Sequence, residues 1–519
     1  MYMTITSFHF LIFVTIAVAI YYLVPKVWQW VALLIMSLIF YHYAARTRTI
    51  VFLLISTFTV YVCTMWMDRI RRNRNGSPKA VTVLAAITVS FNMVLWFVFK
   101  GYEYWAAAIK GIEHIHSTPL SGLLNMELVA ALGMGYYTFQ VTGYVLDCAW
   151  GIVKPQRNPL KLFLFVCFFP QLTTGPISRY DQLESLYQQH NISYQNITHG
   201  AQRVLWGFFK KLVLAERVGI IVSGITSNLE VYNGFYAWVA ILLYPIQMYA
   251  DFSGCMDIVI GVAEMFDIKL AENFKNPFFS RTVQEFWQRW HITLGAWAKN
   301  YVLYPLMKSQ PMSKFGKFTR NKFGKSFGKK IATSVSLIAP WFVIGIWHGG
   351  FRFIVGVTLW NWTILTLGEL LSPVFRKIIK VFNFRTDSFS WHFFQSARTY
   401  FIYAMGITFF AEGVGKGVSL LRSAAKVITG GAANPWIFFD GSILHLGIAW
   451  RDINLIIIAV LLLIIVGILS EKYGYARNWM DKQSVLFRWS AWIILFVLVL
   501  VYGKYGPEYH AADFIYQRF

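Results

Sequence analysis

Long apolar stretches recur from one end of the chain to the other and leave few folds open to it. They lie near residues 7–25, 28–45, 50–67, 80–99, 126–148, 159–170, 201–225, 235–263, 331–349, 352–372, 396–411, 453–470 and 487–503. A helix needs roughly 20 mostly apolar residues to cross about 30 Å of hydrocarbon, and many of these stretches qualify. Charged residues make up only 14% of the 519 residues, against about 25% in soluble domains. We therefore expect an all-α polytopic membrane protein, a single continuous bundle of about 11–13 transmembrane or re-entrant helices. The first apolar stretch has no basic region before it and no small-residue cleavage site, and reads as a retained helix. The stretch 159–178 holds Pro170, Gly175 and Pro176 and is too broken for a simple span. Irregular backbone at membrane depth needs a protein or cavity covering, so re-entrant segments are expected there.

The chain carries 47 Lys and Arg against 24 Asp and Glu, a net charge of +23. No nucleic-acid motif accompanies this excess, and cytoplasmic loops of membrane proteins are enriched in Lys and Arg. Basic clusters at 69–79, 308–330, 376–385 and 472–488 are accordingly expected on the cytoplasmic side; the second holds eight Lys or Arg and no acid. Counting spans from these clusters places both termini outside the cell. The segment 412–452 also comes out external, as short helices lying on the outer surface. The cysteines, Cys63, Cys148, Cys167 and Cys255, sit in apolar runs without CxxC or zinc spacing and read as small packing residues. No metal site is expected.

The region Asn273–His348 concentrates the candidate chemistry. His291 and His348 each directly follow a tryptophan, Trp290 and Trp347, in or beside apolar sequence. A titratable ring at membrane depth is costly unless something uses it. From Lys330 the chain runs 18 residues to His348, about 27 Å if helical, so His348 is expected deep in the membrane or near its outer side. Asn361 follows on the returning span. For His291, the spacing of Trp287, Trp290, Leu294, Trp297 and Tyr301 predicts one helix with an aromatic stripe. Glu285 and Arg289 stand four residues apart on it, suited to an ion pair. That helix is expected at an interface or against the bundle, bringing His291 to the centre from the inner side.

Other polar side chains lie where lipid-facing sequence would forbid them: Gln140 with Asp147, Asp251 with Asp257 and Ser253, and Gln171 with Thr173 and Thr174. Each alone reads equally as interhelical hydrogen-bonding glue; together they point to a hydrated interior cavity. No Walker loop, HExxH, GxSxG or HxxxxD acyltransferase motif is present.

The stretches GYYTFQVTGYVLD, FFPQLTTGPISRY, GFFKKLVLAERV, QMYADFSGCMDIVIG, ENFKNPFFSRTVQEFWQRWHITLGAWAKNYVLYPL and GIWHGG resemble the bacterial membrane-bound O-acyltransferases, the MBOAT superfamily. The likeness is to the branch with alginate O-acetyltransferase and the D-alanyl transferase of lipoteichoic acid. It runs from about Gly135 to Gly350 and is weaker at both ends, although the tail GPEYHAADFIYQRF also looks like the ending of such proteins. Lys299-Asn300 stands where Arg-Asp is common, Tyr304-Pro305-Leu306 runs into Met307-Lys308, and the second motif continues as GGFRF. The resemblance implies an MBOAT-type bundle around a central cavity, with 1–125 as peripheral spans, 126–372 as catalytic core and 373–519 as C-terminal spans. It implies acyl transfer to a hydroxyl, with His348 the main catalytic residue and His291 an accompanying essential one. Trp347, Trp290, Arg289, Asp251, Ser253, Gln140 and Asn361 are candidates for shaping the cavity or positioning substrate. No cofactor is expected to be bound. The expected donor is acetyl-coenzyme A or a carrier-protein thioester. The expected acceptor is an extracellular polysaccharide, with teichoic acid close behind, reached directly or through an exported accessory acyltransferase. The membrane would be the bacterial cell membrane. A transporter or flippase without covalent chemistry is the reading from a different class; the absence of a visible internal repeat counts against it.

Overall fold

A computed structural model describes residues 3–73, 76–99, 132–349, 353–428, 436 and 440–505. Gly350, the continuation of the second motif to Arg352, parts of the segments 69–79, 126–148 and 412–452, and the tail from residue 506 lie outside the described residues. Among the described residues the chain is all-α, with no β-strand and one isolated antiparallel bridge, Phe274 to Trp290. The main helices are α1 (Phe8–Leu23), α2 (Gln29–Ala44), α3 (Ile50–Arg72), α4 (Pro78–Phe99), α5 (Met134–Trp150), α6 (Pro159–Cys167), α7 (Tyr194–Phe208), α8 (Glu216–Ser227) and α9 (Phe235–Met265). They continue as α10 (Val283–Arg289), α11 (Ile292–Ala298), α12 (Gln310–Phe323), α13 (Lys325–Ser336), α14 (Ile338–Trp347), α15 (Trp360–Leu370), α16 (Ser372–Val381), α17 (Phe389–Ala425), α18 (Trp450–Tyr473) and α19 (Val485–Tyr502).

Among the described residues, six helical segments are long and apolar enough to cross a membrane: Lys26–Ala44, Thr47–Arg72, Pro78–Phe99, Lys325–Trp347, Trp450–Tyr473 and Val485–Tyr502. The pair Ile354–Leu370 and Ser372–Val381, bent by 54°, would make a seventh. Phe8–Leu23 is apolar but shorter. On α19 the side chains of Trp489, Ile493, Ile494, Phe496, Val497 and Leu500 are exposed, which suits contact with lipid. The chain is thus an all-α polytopic membrane protein.

The described residues form two compact units. The first comprises the residues up to Val204 together with Cys255–Glu272, and the second comprises Leu205–Gly254 together with the residues from Asn273 on. In the first, α3 packs on α4, α5 and α6, and Ser56 of α3 donates to Asn92 of α4. The broken segment after α6 is buried throughout. The Phe165 carbonyl accepts from the side-chain amides of Gln140, at 2.9 Å, and Gln171, at 3.3 Å. The Phe169 N–H that a continuing helix would send there donates to Ser37 instead. Gln140 therefore satisfies backbone at a helix break, as buried irregular segments require.

Three segments of the second unit differ from the sequence reading. Residues 308–330 form a helical hairpin, α12 and α13, turning at Gly324. Helix α17 does not end near residue 411 but runs 37 residues to Ala425. The predicted single helix through His291 is two helices, α10 and α11, with Trp290 extended and His291 left-handed at φ +46° between them.

Candidate active site

The break at His291 comes from a segment that precedes it by almost twenty residues. Phe274 bridges Trp290, the Lys275 N–H donates to the Arg289 carbonyl at 2.9 Å, and the Ile292 N–H donates to the Asn273 carbonyl at 3.0 Å. The Asn273 side chain then caps α11 from outside: its Oδ1 accepts from the Thr293 N–H at 3.1 Å and the Thr293 hydroxyl at 3.0 Å. Those first N–H groups have no partner within their own helix. The same oxygen lies 3.2 Å from His291 Nδ1.

His348 ends α14, and its N–H still donates to the Ile344 carbonyl at 3.1 Å. Gly349 then turns the chain at φ +148°, a conformation that glycine tolerates. Helix α14 lies hard against the π-helical turn Ile354–Leu359: the Thr358 hydroxyl donates to the Trp341 carbonyl at 2.9 Å. A Cβ at Gly345 would come within 2.3 Å of that hydroxyl oxygen. The absence of a side chain there sets how closely the helix carrying His348 approaches its neighbour.

Both imidazoles are buried and line one cavity of about 460 Å³. Its walls are mostly apolar, with Trp287, Trp341, Trp360 and Tyr403 prominent. The Trp347 indole lies against both histidines, its ring centroid 5.9 Å from that of His291 and 4.8 Å from that of His348. Phe252 meets the His291 ring edge-on at 4.8 Å, and Phe410 meets His348 edge-on at 5.0 Å. Two π-helical turns border the cavity through Lys299 and Leu303 on one and Gly356 and Val357 on the other, a local widening that recurs at functional sites. Lys299 is an exposed lining residue, as are Gln284, Gln288 and Ala296, and from it the chain leads into the basic hairpin α12–α13.

The predicted site residues divide by location. Trp290 and Asn361 line the cavity with the two histidines; the Asn361 amide donates to the Val357 carbonyl at 2.8 Å. Trp347 packs on both imidazoles. Arg289 is engaged elsewhere, 2.8 Å from Glu285 and 2.6 Å from Glu471, where it ties α10 to the end of α18. Asp251 and Ser253 are also outside the lining. Asp251 is 2.6 Å from Lys211, which also meets Glu216 at 2.7 Å, and Ser253 accepts from Lys210 at 2.8 Å. The lysines come from a third π-helical turn, Phe209–Ala215, between α7 and α8. Gln140 belongs to the first unit and holds the helix break there. The sequence reading missed Asn273, Lys299 and Tyr403. For Asn273 a signal existed: a polar residue in an aromatic-rich stretch shortly before a buried histidine.

Residues 156–410 match MBOAT, the membrane-bound O-acyltransferase family. The chain is 27% identical to the probable alginate O-acetylase AlgI of Pseudomonas syringae over 65% of this chain and 60% of that protein. It is 30% identical to the peptidoglycan O-acetyltransferase of Helicobacter pylori over 44% of this chain and 46% of that protein. It is 28% identical to the teichoic acid D-alanyltransferase of Streptococcus thermophilus over 56% of this chain and 72% of that protein. The similarity thus spans less than two thirds of the length of the alginate relatives. Over residues 156–410, which hold both histidines and their cavity, this multi-pass membrane chain thus matches the family model of the membrane-bound O-acyltransferases.

Proposed function

We propose that the protein is a membrane O-acyltransferase that moves an acyl group, in first place acetyl, from a cytoplasmic thioester to hydroxyls of an extracellular envelope polysaccharide, directly or through an exported partner. The observation that carries this reading is the pair of buried histidines opening onto one largely apolar cavity. Neutral imidazole is a competent general base near neutral pH. In the proposed reaction His348 takes the proton of the acceptor hydroxyl as its oxygen attacks the thioester carbonyl. The tetrahedral intermediate collapses with cleavage of the C–S bond, and the proton passes to the departing thiolate. The products are an ester and a free thiol. From the exposed lining residue Lys299 the chain leads to the basic hairpin; its Lys and Arg enrichment supports a cytoplasmic side there, from which an anionic thioester donor would enter. A cell-membrane location with both termini outside belongs to the same proposal.

D-alanyl transfer to teichoic acid is the second reading, favoured by the relative of that name of which the similarity covers 72%. One experiment tests both. Envelope polymer ester is measured after saponification, as acetate and as D-alanine, in cells carrying the wild type, His348→Ala or His291→Ala at equal membrane abundance. Loss of one ester in the variants is the expected result and identifies the acyl group. Unchanged ester of both kinds would remove the proposal's support and leave the transporter reading.

A further inference from the structure

The hydrogen bonds around Asn273 fix which nitrogen of His291 carries its proton. The Thr293 backbone N–H can only donate, and it points at the Asn273 side-chain atom from 3.1 Å. That atom must therefore be the carbonyl oxygen, which can only accept. His291 Nδ1 lies 3.2 Å from the same oxygen. Two acceptors cannot share that contact, so Nδ1 bears the hydrogen, and in the neutral ring the lone pair is left on Nε2. The backbone supports the arrangement, because the left-handed turn at His291 and the bond from Ile292 N–H to the Asn273 carbonyl hold the imidazole beside Asn273. The edge-on contact with Phe252 restricts rotation of the ring.

We infer that Asn273 is a positioning residue that makes His291 a hydrogen-bond acceptor toward the occupant of the cavity, so that His291 accepts from a hydroxyl beside the reacting one and does not donate to the oxyanion. This deepens the acyl-transfer reading and rests on it for the identity of the occupant. The assignment of the tautomer does not. Donors to the tetrahedral oxygen must then come from other groups. His348 and His291 are consequently not interchangeable: one takes the single proton of the reacting hydroxyl, and the other accepts from a neighbouring hydroxyl and so orients the acceptor.

The test uses the full-length protein in lipid membranes with ¹⁵N-labelled histidine. The His291 resonances are identified by their disappearance in His291→Gln. Nitrogen shifts distinguish protonated from lone-pair nitrogen at each ring position. The expected result for the wild type is hydrogen on Nδ1 and a lone pair on Nε2. Asn273→Asp keeps an acceptor at the position and is expected to keep the tautomer and most of the turnover. Asn273→Leu removes the acceptor; it is expected to lose the tautomer and to lower kcat on the order of 10–100-fold, with KM for the thioester within about twofold. A merely structural role would change the amount of folded protein and not the tautomer. Hydrogen on Nε2 in the wild type, or an unchanged tautomer and turnover in Asn273→Leu, overturns the inference. If Asn273→Leu does not fold, the wild-type spectrum and Asn273→Asp still decide. Wild-type protein without transfer activity but with the expected tautomer would count against the proposed function alone.

Discussion

Replacing Lys211 with leucine probes how the second unit carries its buried charge. The ammonium lies 2.6 Å from Asp251 and 2.7 Å from Glu216, and the side chains of Lys211 and Asp251 are 4% and 2% exposed. In Lys211→Leu both carboxylates lose that cation while still facing the space it occupied. Removing one member of a buried ion pair costs about 3–5 kcal/mol, because the partner charge is left without compensation. In Asp251→Leu the lysine keeps Glu216, and the expected cost is about 1–3 kcal/mol, the scale of one lost buried hydrogen-bond partner. Unfolding in mixed micelles, titrated with a denaturing detergent, should place Lys211→Leu well below Asp251→Leu and both below wild type. Acyl transfer per folded molecule should be retained in Asp251→Asn, since Asp251 is outside the cavity. Equal stability of the two leucine variants, or loss of activity in a fully folded Asp251→Asn, would refute the reasoning.

Further outcomes follow from the same geometry. Gly345→Ala drives a methyl into the Thr358 hydroxyl and should cost about 1–3 kcal/mol and lower turnover by displacing His348; adding Thr358→Ala should restore part of both, as a double-mutant cycle would show. Arg289→Gln and Glu471→Gln should each destabilise by no more than about 1 kcal/mol, since their bridge is partly exposed. The double variant should be no worse than either single one, and turnover should change little.

The apolar runs and the two Trp-His pairs were legible in the sequence because composition and short spacing report membrane spans and costly buried rings directly. The break at His291 was not. The stripe Trp287, Trp290, Leu294, Trp297, Tyr301 keeps helical spacing across it, and the cause is pairing with Asn273–Lys275, which no local period contains. Asp251 read as a cavity group because its partner lies forty residues earlier, yet two adjacent lysines inside GFFKKLVLAERV were themselves a signal, since buried ammonium groups call for carboxylates. Helix α17 was cut short at a stretch with three glycines, Gly413, Gly415 and Gly417. Each disfavours helix by about 1 kcal/mol. Tertiary contacts beyond them outweigh that preference: Leu420 and Ala424 are buried, and the Ala424 carbonyl accepts from the Trp238 indole at 3.1 Å. Gln140 is explained by the helix break it satisfies, which the Pro and Gly residues of 159–178 announced without showing how the freed carbonyl would be met.

The most direct measurement is transfer by the purified protein in membranes, using an isotopically labelled acyl thioester and a soluble polysaccharide or teichoic acid acceptor. Thiol release and alkali-labile label on the acceptor are followed together, for wild type and for folded His348→Ala. The account predicts matched release and ester formation by the wild type and neither by His348→Ala. Ester formation that persists in His348→Ala, or a wild type that consumes no thioester while its ligands move across the membrane, would contradict it.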